Sequence, residues 1–330
     1  MSFDKKILGN ENLIKNMQTL AENQTFSHSY IIEGIRGSGK SLLSDFFAKA
    51  ILCEGENKPC GTCLSCISFD TENNPDFFKF KRDKQSFGID IIRDNFSQVL
   101  NIKPFRSKYK VVIIEEADTL TVQAQNAILK SIEEPPSYMV FILIAESSKF
   151  LLPTIVSRCS CLCTEPLSLD LIKDEIYKKN IDDDIDKEYL SFSVAASEGS
   201  LGRCLFFLQD EEFRHTRKKV LDFLQNIGNM HIVDVIKKAD EFAKEKIDCI
   251  KIYDILIMWF RDLVVYKTTG SLKGCYNIDK IEILHIKALE YTLEKLYKNI
   301  NNVNTFKANY ESNGNLTMNL EVLFMKLREK

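Results

Sequence analysis

Glycine and proline are both scarce, 13 and 7 among 330 residues. With so few breakers the chain favours helices and argues against an all-β sandwich with its many turns. Long apolar runs are missing too. The longest, Met139–Ala145 and Ile255–Phe260, fall far short of the roughly 20 residues that a membrane-spanning helix needs. The opening Met1-Ser2-Phe3-Asp4-Lys5-Lys6 has no apolar stretch of the secretory kind, so a cytoplasmic protein with no membrane partner is expected. Neither sign of charge dominates: 44 basic against 47 acidic residues leave a net charge of −3. Any nucleic acid is then met through a local patch or through partners. What remains is 45% hydrophobic, enough for a sizeable core, and a length suited to two domains or three small ones. Ten cysteines in such a chain suggest thiols or a metal site rather than disulfides.

Up to residue 163 strands and helices alternate. Apolar strands are expected at Ser29–Glu33, Lys110–Ile114, Tyr138–Ala145 and Cys159–Cys163, with mixed loop and strand over 75–88. Helices are expected at Glu11–Leu20, Ser41–Leu52, Ile89–Ile102, residues 121–134 (ended by Pro135-Pro136) and Lys149–Ser157. That alternation indicates parallel βαβ units and a doubly wound sheet. Beyond Pro166 only helical periodicity remains: a pair at Tyr189–Ser197 and Leu201–Leu208, then about 212–227, 231–245, 247–267, 278–299 and 316–328. The Asn-rich stretch 299–315 reads as a loop. Cys159, Cys161 and Cys163 alternate and read as small core residues on one face of a strand. His215, His231 and His285 are isolated on helical patterns, and the basic stretch Lys103, Arg106, Lys108 and Lys110 reads as a solvated loop.

Gly34-Ile35-Arg36-Gly37-Ser38-Gly39-Lys40-Ser41 is a full G-x-x-x-x-G-K-[ST] match between a strand and a helix. Its glycines allow a tight loop whose amides surround phosphate oxygens at a positive helix end. Lys40 would reach the outer phosphates and Ser41 would ligate Mg²⁺, so ATP/Mg²⁺ is the candidate ligand. By composition such a match arises in roughly one chain per hundred of this length. The strand before Glu115-Glu116 ends in acids, as in a Walker B element: Glu115 would hold Mg²⁺ and Glu116 would polarise water. Asp is usual at the first position, and the extra methylene of Glu115 displaces the carboxylate. Cys53, Cys60, Cys63 and Cys66 lie within 14 residues of a short coreless insert. Four thiolates there suit structural tetrahedral Zn²⁺. An iron–sulfur run would require C-x₂-C-x₂-C-x₃-C-P, and Asp70 stands where its last cysteine belongs.

Together with His28-Ser29-Tyr30, Asn126–Pro136 and Leu152-Pro153-Thr154-Ile155-Val156-Ser157-Arg158-Cys159, these motifs resemble the bacterial clamp-loader branch of the AAA+ ATPases. The match is dense over 26–166 and looser beyond. The resemblance implies an α/β P-loop AAA+ domain (1–166) with a doubly wound parallel sheet and a zinc module (53–66), then a small all-helical lid (167–211) and an all-helical collar (212–330). It implies a hetero-oligomeric ring with gamma/tau and delta subunits, in which ATP drives loading of a sliding clamp onto primed DNA within the DNA polymerase III holoenzyme. Arg158 would act in trans on a neighbour's ATP. Three features favour the delta′ type over the gamma/tau motor: no basic Arg-Pro opening, no long tail, and Gly202 where the motor has its sensor arginine, Arg203 coming one position, about 100°, late. Glu115 and Ala145-Glu146 also depart from the motor pattern, so ATP turnover by the chain itself is expected to be weak or absent. A gamma/tau-like motor and a stand-alone P-loop ATPase or kinase are the alternatives.

Overall fold

The computed structural model describes residues 7–81, 99–100, 102–179, 186–245, 249–312 and 314–329, which form two compact units. The first unit takes in the chain up to Leu167 together with Ser200–Gly202. Its centre is a sheet of β1 (Ser29–Glu33), β2 (Phe77–Phe80), β3 (Lys110–Ile114), β4 (Met139–Ala145) and β5 (Ser160–Cys163), in the order β2-β3-β4-β1-β5. All four pairings are parallel, with Lys79 opposite Ile113 and Ile31 opposite Leu143.

Every residue of β3 and β4 is buried, as continuous apolar runs require of strands covered on both faces. Because successive side chains point to opposite faces, the runs divide between two cores. Val111, Ile113, Val140 and Ile142 pack with Leu43, Phe46 and Phe47 of α2 (Lys40–Leu52) and Met17 of α1 (Glu11–Asn23). The short α3 (Leu64–Asp70) adds Phe69 to that face. Val112, Ile114, Phe141 and Leu143 pack with Ala124, Ile128 and Ile132 of α4 (Val122–Glu133) and Ile155 of α5 (Pro153–Val156). Phe46 and Phe47 are wholly buried, each contributing roughly 1.5–3 kcal/mol of transfer free energy. Thr121 caps α4, its hydroxyl accepting from Ala124 N at 3.2 Å, and the helix stops before Pro135.

Four expectations for this unit need correction or limits. The helix expected over Lys149–Ser157 is a 3-10 turn, Ser148–Phe150, then extended Leu151-Leu152 and the short α5 that Pro153 begins. The expected helix Ile89–Ile102 lies largely outside the described residues; Val99 and Leu100 are helical. Of the three alternating cysteines only Cys159, just before β5, packs against the core. Cys161 and Cys163 are exposed on this edge strand and Leu162 points inward, because the larger apolar side chain takes the buried face. Lys110 is buried rather than solvated: its ammonium donates to the carbonyls of Ile102 (2.6 Å) and Val99 (3.3 Å).

The second unit, Ser168–Gly199 with Arg203–Lys330, is helical among its described residues. It holds α6 (Leu169–Lys178), α7 (Lys187–Ala196), most of α8 (Leu201–Gln209), α9 (Glu211–Asn226), α10 (Ile232–Lys244), α11 (Cys249–Thr269), α12 (Ile281–Glu290), α13 (Leu293–Glu311) and α14 (Leu316–Arg328). Tyr189, Phe192, Phe207 and Phe213 form one aromatic cluster, and Phe223, Phe242 and Phe324 a second. The stretch expected as one helix over 278–299 followed by an Asn-rich loop is divided differently. The chain breaks at Tyr291-Thr292, Thr292 caps a new helix by accepting from Lys295 N at 3.2 Å, and α13 runs through the asparagines to Glu311. Leu296, Val303 and Phe306 bury one face of it and Lys307 pairs with Asp254 of α11 at 2.7 Å. Packing of that face outweighs the weak helix propensity of asparagine.

Candidate functional site

The carboxyl ends of the strands converge on the glycine loop, where parallel α/β sheets place their ligand sites. β1 runs into Gly34, and α2 begins at Lys40 directly after Gly39. Gly39 has φ +88°, and a Cβ there would meet nothing within 4 Å. Glycine is required by the backbone, and the space beside it is open to a ligand. Gly37, also left-handed at φ +77°, lies under Gly202. A Cβ on Gly202 would stand 2.8 Å from Gly37 Cα and O, and Gly202 N donates to Gly37 O at 3.1 Å. Any larger residue at 202, a sensor arginine included, would push this loop away.

The loop's polar side chains are already engaged. Lys40 is buried, and its ammonium donates to the carbonyls of Gly34 (2.6 Å) and Ile35 (2.9 Å). Burial lowers its pKa, an effect that Glu146 and Asp118 partly offset. Ser41 donates to Glu115 Oε1 at 2.5 Å, so the structure does bring the loop serine and the strand-end acid together. Three more groups join them, which the sequence reading did not single out. Lys79 of β2 donates to Ser41 Oγ at 2.9 Å and to both carboxylate oxygens of Asp45, at 2.7 and 2.9 Å, and stands 3.1 Å from Glu115 Oε1. Lys81 approaches Glu115 Oε2 at 3.6 Å. Burial works to raise the Glu115 pKa, but the Ser41 hydroxyl and Lys79 outweigh it and hold the carboxyl below its usual range. For Asp45 burial prevails over Lys79 and raises the pKa. The signal for Asp45 was its place one helical turn beyond Ser41; Lys79 had only its polarity within Phe77-Phe78-Lys79-Phe80. Glu116 is exposed, on left-handed backbone with φ 49°. Asp118 turns to the end of β4, accepting from Glu146 N at 2.8 Å.

The four cysteines meet at the end of α2. Their sulfurs all lie within 4.8 Å of one another and could hold a metal ion. Two pairs, Cys60–Cys66 and Cys53–Cys63, stand at 4.0 Å, close to the roughly 3.8 Å edge of a tetrahedron built on Zn–S bonds of about 2.3 Å. Amides point at the sulfurs: Gly55 and Cys60 N–H at Cys53 (both 3.3 Å), Cys63 N–H at Cys60 (3.3 Å) and Cys66 N–H at Cys63 (3.4 Å). Such donors favour thiolates. At Cys60 burial opposes ionisation, yet the amides of Thr62 and Cys63 bring the pKa down to about 6. Burial pushes Cys53 and Cys66 up, and a cation among the sulfurs would reverse that.

Arg158 follows α5 at the surface. Its guanidinium donates to Thr154 O (3.0 Å) and Ser157 Oγ (3.2 Å) and pairs with Glu133 at 3.1 Å, with both side chains about 40% exposed. An ion pair so exposed is worth about 0–1 kcal/mol, so Arg158 is held in place without being committed. Among the described residues no helix is long and apolar enough to cross a membrane.

A family model described as DNA polymerase III, delta subunit, matches residues 9–168. A second, described as DNA polymerase III, delta subunit, C terminal, matches residues 211–327. DNA polymerase III subunit delta′ of Bacillus subtilis (strain 168) is 27% identical over 324 residues, covering 96% of this chain and 95% of its own. Subunit tau of the same organism is 28% identical over 297 residues, 84% of this chain and 52% of its own, so the chain spans about half the length of that relative. A solved DNA polymerase III gamma subunit-related protein of Thermotoga maritima superposes with a TM-score of 0.47 at 18% identity, over 95% of this chain and 98% of that one. The two family matches between them take in most of the sequence, and the chain belongs to the DNA polymerase III delta-subunit family of clamp-loader subunits.

Proposed function

We propose that the chain is the delta′-type member of a hetero-oligomeric ring with gamma/tau and delta subunits, which uses ATP to place a sliding clamp on primed DNA. Residues 1–166 form its AAA+ domain, 167–211 its lid and 212–330 its collar. Zinc held by Cys53, Cys60, Cys63 and Cys66 pins the 53–66 insert, leaving no position open for water. The observation that carries the reading is the contrast between two cationic sites. Lys40 and Ser41 are engaged with groups of their own unit, whereas Arg158 is exposed and only lightly held. The chain thus offers a neighbour's nucleotide an arginine while its own loop is ill-placed to turn ATP over. A planar guanidinium binds two phosphoryl oxygens at once and stabilises the charge spread over them in transfer.

The test is reconstitution with Arg158→Ala. The variant assembles into the ring, yet ATP hydrolysis and clamp loading by the complex fall by at least about tenfold, below the 10³–10⁵ of a sole arginine finger because several sites share the work. Arg158→Lys restores little, since a point charge cannot reproduce the fork. Normal rates in Arg158→Ala complexes would end the trans role. The intact Lys40-Ser41 pair favours one second reading, a gamma/tau-like motor. Robust turnover by the isolated chain, lost in Lys40→Ala, would select it.

A further inference from the structure

A P-loop nucleotide site is ordinarily completed by a divalent cation between the loop hydroxyl and the acid at the end of the neighbouring strand. In this chain those two groups are Ser41 and Glu115, and the position they share is taken by a side chain. The Lys79 ammonium stands 2.9 Å from Ser41 Oγ and 3.1 Å from Glu115 Oε1, and its remaining reach goes to Asp45 at 2.7 and 2.9 Å. The Ser41 hydroxyl accepts from Lys79 and gives its own proton to Glu115. Its proton, one of its two lone pairs and therefore its orientation are engaged by these two bonds.

The charges close as well. The carboxylates of Asp45 and Glu115 face the ammonium groups of Lys79 and, at 3.6 Å, Lys81. Among the described residues, these two negative and two positive groups balance and leave no excess for a cation to neutralise. Mg²⁺ requires near-octahedral oxygens at 2.0–2.1 Å and gives up water reluctantly. To enter, it would have to break the Ser41–Glu115 bond and settle beside the ammonium of a side chain that is only 15% exposed, where screening by water is weak. The donor set therefore does not fit the metal. The position of Lys79 is fixed by the fold: β2 pairs in register with β3, which sets Lys79 opposite Ile113, and Glu115 N donates to Phe80 O at 2.9 Å. The lysine is thus carried to the acid by the sheet itself.

We propose that Lys79 is a resident counter-cation that keeps divalent metal out of the Ser41–Glu115 position, so that the glycine loop of this chain meets a nucleoside polyphosphate without Mg²⁺. This does not rest on the ring assignment, because it concerns the chain alone.

The experiment is a Mn²⁺ titration of the full-length, zinc-replete chain followed by electron paramagnetic resonance, on the wild type, Glu115→Gln, Lys79→Met and Lys79→Met/Glu115→Gln. Wild type and Glu115→Gln are expected to bind Mn²⁺ alike. Lys79→Met gains one equivalent, at least about tenfold tighter than any wild-type binding, and the added Glu115→Gln removes it. A wild-type site lost in Glu115→Gln, no gain in Lys79→Met, or a gain indifferent to Glu115 would each overturn the proposal. Should Lys79→Met fail to fold, Lys79→Gln takes its place, and the comparison of wild type with Glu115→Gln stands on its own. In parallel, ATP retention by the zinc-replete wild-type chain is the same with Mg²⁺ added as in buffer freed of divalent cations without a chelator; a Mg²⁺-dependent gain would also overturn it.

Discussion

Replacing Arg217 of α9 by methionine tests how the second unit is held together. Arg217 is buried, and its guanidinium grips both oxygens of Asp279, at 2.6 and 2.9 Å. It also donates to Asn277 Oδ1 at 2.7 Å and lies 3.6 Å above the centroid of Phe192. One residue thus ties α7, α9 and the turn after α11. Asp279 is itself only 3% exposed, so Arg217→Met leaves its carboxylate with little water and with Lys280, 3.8 Å away, as its remaining charged partner. Breaking a buried pair in this way costs about 3–5 kcal/mol, and the lost cation–π contact lies within that range. Methionine keeps most of the volume, so a cavity adds little. The assay is urea unfolding followed by Trp259, the only tryptophan of the chain and buried in α11, which reports on this unit alone. Adding Asp279→Asn removes the stranded charge, and the double variant should recover at least about 1–2 kcal/mol of the loss. A cost below about 1 kcal/mol for Arg217→Met, or no recovery in the double variant, would refute the reasoning and make the pair an incidental contact.

Two further outcomes are expected. Metal analysis of the purified chain should find one zinc, abolished by Cys60→Ser with Cys63→Ser; its absence from the wild type, or its persistence in the variant, would remove the metal site. Asp210 caps α9 by accepting from Phe213 N at 2.8 Å and pairs with Lys251 at 2.7 Å. Burial acts to raise its pKa, but Lys251 and the capped amides prevail and lower it. Its contribution is therefore whole above the unfolded carboxyl pKa of about 3.9 and fades as pH falls through the lower folded value. Asp210→Ala should cost about 1–2 kcal/mol at pH 7 and flatten the acid limb of a stability–pH curve; an unchanged acid limb would assign that limb to other carboxylates.

The parts of the fold legible in the sequence were those encoded by neighbours along the chain. Lys110–Ile114 and Met139–Ala145 are apolar and bounded by polar turns, so their place in a buried parallel sheet followed from pattern alone. The glycine loop and the four cysteines carry their chemistry in their spacing. What escaped was decided by contacts between distant segments. Asn299–Asn315 has the composition of a loop, yet Val303 and Phe306 find a partner surface, and burial of one face makes it helix as far as Glu311. On β5 the alternation was visible, but the buried side is the one bearing Leu162, a choice made by the second layer. Lys79 is the sharpest case. Within a stretch read only as mixed loop and strand, a lone lysine among phenylalanines carries no signal of a site. Only the parallel register of β2 on β3, 38 residues from Ser41, turns it into the cation of the site. Local motifs therefore specified which groups a phosphate site would contain, while the sheet order determined whether those groups are free to act. A chain can keep every residue of a P-loop motif and still have its metal position filled by one side chain from the neighbouring strand.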